Sequence, residues 1–253
     1  MSKVFILTFN LCSEIEMYSI VKTTISRIAA DGLVFVGLQE ITRASARSHN
    51  SPQQGRHQFK LEFYDGADMA IFYTRGAPKF HQFTTCNNMI QAIIHSEDIG
   101  FINTHRSPNM DRATVFDYYT NLLATICRML NGGKDNDDKE FFSCQIFNYL
   151  MFKRLMFKSI IKKLRLVVHP TSDTYFDKEG NGHIYDYILH TENVVFSEAP
   201  EDFAGRKTDH IPIFIKCRLD PDQVIAKAPY GLFPNQKLSQ YAISIANIHS
   251  WLA

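Results

Sequence analysis

No apolar run in this 253-residue chain approaches the roughly 20 residues that a membrane-spanning helix needs. The expectation is a soluble protein. There is no Cys-x-x-Cys either: Cys12, Cys86, Cys127, Cys144 and Cys217 are odd in number and far apart. That pattern argues against a structural zinc site and predicts reduced thiols in an intracellular setting, cytoplasmic or nuclear. An excess of one charge is also missing. A formal net charge of +1 sets up no global field, so any footprint for a polyanion must be local. No repeat of fixed period and no low-complexity tract is present. Val4 to Leu11 is apolar but broken by Asn10, with no small-residue cleavage site behind it, and reads as a first strand rather than a signal peptide.

What is present is ordinary globular material, 45% hydrophobic and 21% charged, long enough for one large domain and short for two. Val4 to Phe9 reads as a buried strand tipped by Asn10, and a helix follows with Ile15, Tyr18, Val21, Ile25, Ile28 and Ala29 at helical spacing. Leu33 to Leu38 is a second buried strand, tipped by Gln39 and Glu40. Arg43 to Arg56 reads as a polar loop. Strands are predicted at Met69–Thr74, Pro78–Thr84, Met89–His95 and Ile99–Asn103, the last running into Thr104 and His105. A long helix is expected over Asp111–Leu130 and a strand over Phe141–Phe147, ending at Asn148.

Leu150 to Leu166 is predicted helical and is unusually basic. Arg154, Lys158 and Lys162, with Lys153 beside them, share one face, which suits either solvent or a phosphate-rich partner. Ile184 to Leu189 reads as a strand with Asp186 embedded in it, and a carboxylate among β-formers is expensive to bury without a partner. Asp209-His210 stands directly before the apolar run Ile211–Cys217. Beyond it the composition shifts. Residues 219–253 are expected to form an arm marked by Pro221, Pro229, Gly231 and Pro234, then a helix over Gln236–Leu252 packed on the 1–218 domain or on a partner.

The polar groups at strand ends are therefore Asn10, Glu40, His105, Asn148, Asp186 and the pair Asp209-His210. Carboxylates with amide oxygens suit a hard cation such as Mg²⁺. An imidazole beside a carboxylate can serve as general base or hold a phosphoryl oxygen. Together they point to metal-assisted hydrolysis of a phosphate ester.

In order and local context, Thr8-Phe9-Asn10, Leu38-Gln39-Glu40, Asn103-Thr104-His105, Phe147-Asn148, Tyr185-Asp186-Tyr187-Ile188 and Thr208-Asp209-His210-Ile211-Pro212 resemble the successive motifs of the endonuclease/exonuclease/phosphatase superfamily. This DNase I-like resemblance spans about Val4 to Cys217. It implies a four-layer α/β sandwich, two mostly antiparallel sheets face to face with helices outside. It implies Glu40 as principal ligand of Mg²⁺ (or Mn²⁺), with Asn10 and Asp209 beside it. His210 would contact the scissile phosphate or move a proton, oriented by Asp186. His105 would stabilise the transition state, and Asn148 would position phosphate or water.

One motif departs. The family pattern Gly-Asp-x-Asn stands here as Gln145-Ile146-Phe147-Asn148, and an isoleucine can neither accept a proton nor orient water. Losing a general base costs about 10²- to 10⁴-fold in rate. Three readings stay open: a slow enzyme leaning on Asp186 and His210, a variant of an active enzyme, or an inactive scaffold that still binds metal or phosphate. For substrate, Val36 to Glu40 is similar to inositol polyphosphate 5-phosphatases, but those carry Arg where this chain has Tyr187. The expectation leans to a nuclease-like phosphodiesterase, with Lys153, Arg154, Lys158 and Lys162 on a nucleic-acid backbone in preference to a phosphoinositide surface.

Overall fold

The computed structural model describes residues 3–29, 32–42, 59–63, 68–74, 78–84, 89–95, 99–105, 166–169, 173–191, 195–198, 208–218 and 240–246, with helical positions at 113, 114, 117, 118, 121, 122 and 125. Strand β1 (Lys3–Asn10), helix α1 (Ile15–Ile28) and strand β2 (Gly32–Gln39) form a parallel crossover unit. β3 (Phe59–Phe63) and β4 (Met69–Thr74) extend the sheet from β2, while β12 (Val195–Glu198) and β13 (Ile213–Arg218) extend it from β1. The order across this first sheet is β12-β13-β1-β2-β4-β3. The second sheet runs β5-β6-β7-β14-β11-β8, built from β5 (Pro78–Thr84), β6 (Met89–His95), β7 (Ile99–His105), β14 (Gln240–Ala246), β11 (Tyr187–Thr191) and β8 (Leu166–His169). A small hairpin pairs β9 (Tyr175–Phe176) with β10 (Gly182–His183). Among the described strands, a single pair in each large sheet is parallel, β1 with β2 and β7 with β14.

Strand periodicity explains how the layers stack. Alternate residues of β1 face opposite ways. Phe5, Leu7 and Phe9 join Val34, Val36, Leu38, Ala70 and Phe72 under α1, whose Val21, Ile25 and Ala29 fall on one face at four-residue spacing. The intervening Val4 and Ile6 join Leu33, Phe35, Ile71, Tyr73, Ile213 and Ile215 on the other face, where they meet Ile93, Phe101 and Ile188 of the second sheet. The sheets thus pack face to face. β2 is buried along its whole length because both of its faces are covered, which is why it reads as an unbroken apolar run. On the second sheet, the Thr104 hydroxyl meets the Tyr118 hydroxyl at 2.8 Å, and of the helical positions described between 113 and 125, Tyr118, Leu122 and Thr125 are buried.

Several expectations are corrected. The stretch expected to be a C-terminal helix over Gln236–Leu252 contains strand β14 instead, inserted in the second sheet parallel to β7 and antiparallel to β11. Tyr241, Ile243 and Ile245 alternate with small residues, so the segment satisfies a period of two as well as a helical one. Pairing decides between them, because β14 supplies a hydrogen-bonding partner on each side to strands that would otherwise present bare edges. Asp186 lies just before β11 rather than inside a strand from Ile184, and β13 begins at Ile213, after Pro212. β7 carries on to His105, while β3 and the short β8 were not anticipated. The strand expected at Phe141–Phe147, the basic stretch before Leu166 and the loop from Arg43 to Arg56 lie outside the described residues.

A proline in β14 tests its central place. Ile243→Pro removes a ladder donor from a strand paired on both sides, where proline is not tolerated. The urea midpoint should fall well below that of the native chain. An unchanged midpoint would mean that the segment is a dispensable arm.

Candidate active site

Inner-face alternation does not stop where the apolar residues do. Following Val4 and Ile6 by twos along β1 reaches Thr8 and Asn10, and following Leu33 and Phe35 along β2 reaches Gln39. On β7 the same step from Phe101 gives Asn103 and His105. Polar groups therefore collect in the gap between the sheets at one end. Below the surface they bond to one another. Gln39 Nε2 donates to Thr8 Oγ1 (3.1 Å) and to Asn103 Oδ1 (2.5 Å), and Asn103 Nδ2 donates across the gap to the carbonyls of Leu38 and Ala70, each at 3.0 Å.

Glu40 stands directly above this network with a left-handed backbone, φ 52°, and Cys12 and Ser13 opposite it share that conformation at 47° and 62°. Each such residue costs about 1–3 kcal/mol and persists only where its surroundings over-determine it. Here Leu11 N–H bonds to Gln39 O (2.9 Å), Ser13 N–H to Glu40 O (2.8 Å) and Ile41 N–H to Asp68 O (3.1 Å). Asn10 Nδ2 donates to Glu40 Oε1 at 2.9 Å, and His105 Nε2 lies 3.5 Å from the same oxygen. The His105 hydrogen bond, opposed by burial and aided by Asn10 and by the charge of His210, draws the Glu40 carboxyl down to about 2. It is ionised at neutral pH, and a third of its side chain is open to solvent.

His210 approaches from the segment that leads into β13, the strand next to β1. Its Nδ1 is 2.6 Å from Asp186 Oδ2, and both side chains are almost fully buried. The segment carrying Asp186 is pinned by Thr174, whose hydroxyl accepts the N–H groups of Tyr185 and Asp186, each at 2.9 Å. Backbone bonds from Phe176 to Asp209 (3.0 Å) and from Ile211 to Thr174 (2.6 Å) stitch the hairpin to the residues around His210. The Tyr175 ring lies against the imidazole at 5.0 Å. The hairpin turns at Gly180, φ 84°, and a Cβ on Gly182 would collide with the Asp173 carboxylate. Asp209, exposed, accepts from Cys12 Sγ at 3.0 Å. Thr208 Oγ1 lies 3.1 Å from the same sulfur, donates to Asn10 O and accepts the His210 N–H. Burial first, then the neighbouring Asp209, pushes the Cys12 thiol up to about 12.

Of the residues singled out in the sequence, Asn10, Glu40 and His105 form one contact group and Asp186 with His210 another. Asp209 reaches Asn10 through Cys12 and Thr208. Asn10 offers its amide N–H to Glu40, and its Oδ1 accepts the Cys12 N–H at 3.0 Å, so it holds the carboxylate in place. Asn148, Ile146, Lys153, Arg154, Lys158 and Lys162 lie outside the described residues. The five scattered cysteines speak in the sequence only for reduced thiols and against a Cys-x-x-Cys zinc site, so Cys12 carries no weight there; its position two residues past a strand-end Asn is the signal that points to it. Asn103 and Gln39 were present only as motif neighbours.

Among solved structures, an AP endonuclease from Archaeoglobus fulgidus is 14% identical with a TM-score of 0.51, covering 86% of this chain and 99% of its own. An endonuclease/exonuclease/phosphatase family protein from Leptotrichia buccalis is 12% identical, TM-score 0.47, over 86% of this chain and 99% of that one. A 3'-5' exonuclease from Neisseria meningitidis is 14% identical, TM-score 0.46, over 85% and 99%. No family model matches the sequence, and no curated protein matches it. At such identities the likeness is one of fold. The fold shared with the AP endonuclease accords with the resemblance that the motif order carries.

The Asp186–His210 pair gives a direct test of the site's electrostatics. Burial would lower the imidazole, but the Asp186 hydrogen bond and charge, with Asp209 and Glu40 behind them, outweigh it and hold His210 above its ordinary 6.5. A group raised on folding contributes stability that is complete below its unfolded value, near pH 6.5, and is lost as pH rises through the folded one. Asp186→Asn should therefore lower the His210 titration midpoint read by NMR. It should cost about 3 kcal/mol near pH 6 and less near pH 9. An equal cost at both pH values would show that Asp186 contributes through packing alone.

Proposed function

We propose that this protein is a metal-dependent phosphoesterase, with nuclease-like hydrolysis of a phosphodiester as its reaction. What supports the reading is an ionised Glu40, a third open to solvent, and a buried Asp186–His210 pair whose charge acts on it at one end of the gap between two sheets. The donor set fits a hard divalent ion. Glu40 is a carboxylate drawn down to about 2 and open on one side, and Asp209 is an exposed carboxylate nearby. Those two would hold Mg²⁺ or Mn²⁺, which when bound would polarise a phosphoryl oxygen.

The protein's own groups do the rest. Asn10 and His105 aim the Glu40 carboxylate, fixing it before any ligand arrives. His210 gives one ring nitrogen to Asp186, which leaves Nε2 to hold a phosphoryl oxygen or pass a proton. His105, buried at the end of β7, would stabilise charge on the phosphorus centre, and Asn148 is assigned to positioning phosphate or water. Tyr187 bears on the substrate class. It is buried, with its hydroxyl donating to Ile184 O at 3.0 Å, and burial pushes it up to about 12. It therefore offers nothing to a substrate phosphate where the inositol phosphatases carry Arg, which favours the nuclease-like reading.

Helical positions over both outer faces, α1 on the first sheet and the Tyr118 segment on the second, support a four-layer sandwich. No helix among the described residues is long and apolar enough to cross a membrane. An intracellular setting and a nucleic-acid backbone held by Lys153, Arg154, Lys158 and Lys162 complete the proposal.

A panel of DNA, RNA and phosphoinositide substrates, each with and without Mg²⁺, tests it. Turnover should require Mg²⁺ and vanish in Glu40→Ala, while His210→Ala should lose about 10²- to 10⁴-fold. Ile146→Asp combined with Gln145→Gly should raise the rate. If no substrate turns over and the double variant adds nothing, the scaffold binds without hydrolysing and the catalytic reading is wrong.

A further inference from the structure

Cys12 is not used by the phosphoesterase reading, yet it occupies a constrained place in the site. Its left-handed backbone and the bond from its N–H to Asn10 Oδ1 point Sγ at Asp209 Oδ1, 3.0 Å away. Asp186 has taken Nδ1 of His210, so Nε2 is the ring nitrogen left for a ligand. One ligand atom each from Cys12, Asp209 and His210 lie within 4.8 Å of one another. Glu40 is outside this group.

We propose that Cys12, Asp209 and His210 form a three-ligand site for a borderline divalent metal ion, Zn²⁺ above all, sharing Asp209 and His210 with the proposed phosphoester site but taking the Cys12 sulfur in place of Glu40. Sulfur, imidazole and one carboxylate are donors that Mg²⁺ does not select and Zn²⁺ does. The buried carboxylate behind the imidazole is the outer partner that metal-bound histidines ordinarily have, fixing the ring and raising the basicity of its free nitrogen. Thr174 in turn anchors the segment that carries that carboxylate. Three protein ligands, one buried, one half-buried and one exposed, leave the fourth tetrahedral position to water or a ligand.

Binding exchanges the Cys12 S–H bond for S–Zn, and the proton now shared with Asp209 leaves to solvent. No electron is transferred. The Sγ to Oδ1 separation must then open to about 3.5 Å to span a tetrahedral ion, a shift that an exposed aspartate can make. Because Asp209 and His210 also serve the proposed phosphoester site, Zn²⁺ here and substrate there exclude each other. The metal site itself stands whether or not that reading does.

Co²⁺ titrated into the full-length protein is the test, since a cobalt–thiolate bond absorbs in the near ultraviolet and the other four cysteines can be controlled for. One equivalent should produce the band, Zn²⁺ should abolish it, and a large excess of Mg²⁺ should not. Cys12→Ser, which keeps size and shape, should lose the band while its circular dichroism spectrum is unchanged. Asp186→Asn should keep sulfur ligation but weaken Zn²⁺ binding, measured against a chromophoric chelator, by about 10- to 100-fold. A band that survives in Cys12→Ser, or none in the native chain, overturns the proposal. Both readouts are independent of phosphoester turnover.

Discussion

On the strands that line the gap between the two sheets, every second side chain turns inward, and the chemistry begins where those inward rows stop being apolar. Val4 and Ile6 give way to Thr8 and Asn10, Leu33 and Phe35 to Gln39, Phe101 to Asn103 and His105. A one-residue slip in any of these strands would send its polar tip to the outer face and an apolar residue into the site. The β1–β2 register, Asn10 opposite Gln39, is therefore a condition of the site as much as of the core.

Polar groups in that gap are tolerable because most of them bond to one another. An unmet buried donor or acceptor costs about 1–3 kcal/mol, comparable with a sizeable part of a domain's net stability. Asn103 answers two carbonyls of the first sheet and is itself met by Gln39, so the two sheets are locked at fixed separation beneath Glu40. Above that lock the backbone is strained at Cys12, Ser13 and Glu40. Strain and rigidity belong together here. The carboxylate can be held ready only by a frame that cannot relax around it.

Much of this was legible from residue order. The apolar runs of β1, β2 and β4, the crossover helix with Val21, Ile25 and Ala29 on its buried face, and the polar tips Asn10, Glu40 and His105 could all be read off the chain. So could the need of Asp186 for a partner, since a lone acid before a buried strand has few alternatives. β14 could not. Its seven residues fit two periods equally, and nothing local records that strands more than a hundred residues earlier and some fifty residues earlier await a partner between them. Cys12 was equally silent, because its meaning lies in Asp209, 197 residues away along the chain.

The sequence by itself determined which residues could be buried, which strand ends would be polar and which charges would need company, because those follow from side-chain chemistry and a period of two or 3.6. Tertiary structure alone decided which polar ends meet, that Asn10 turns its N–H toward Glu40, and that a thiol stands beside Asp209 and His210. Those facts depend on register and sheet order, which are set by long-range pairing that no local pattern encodes.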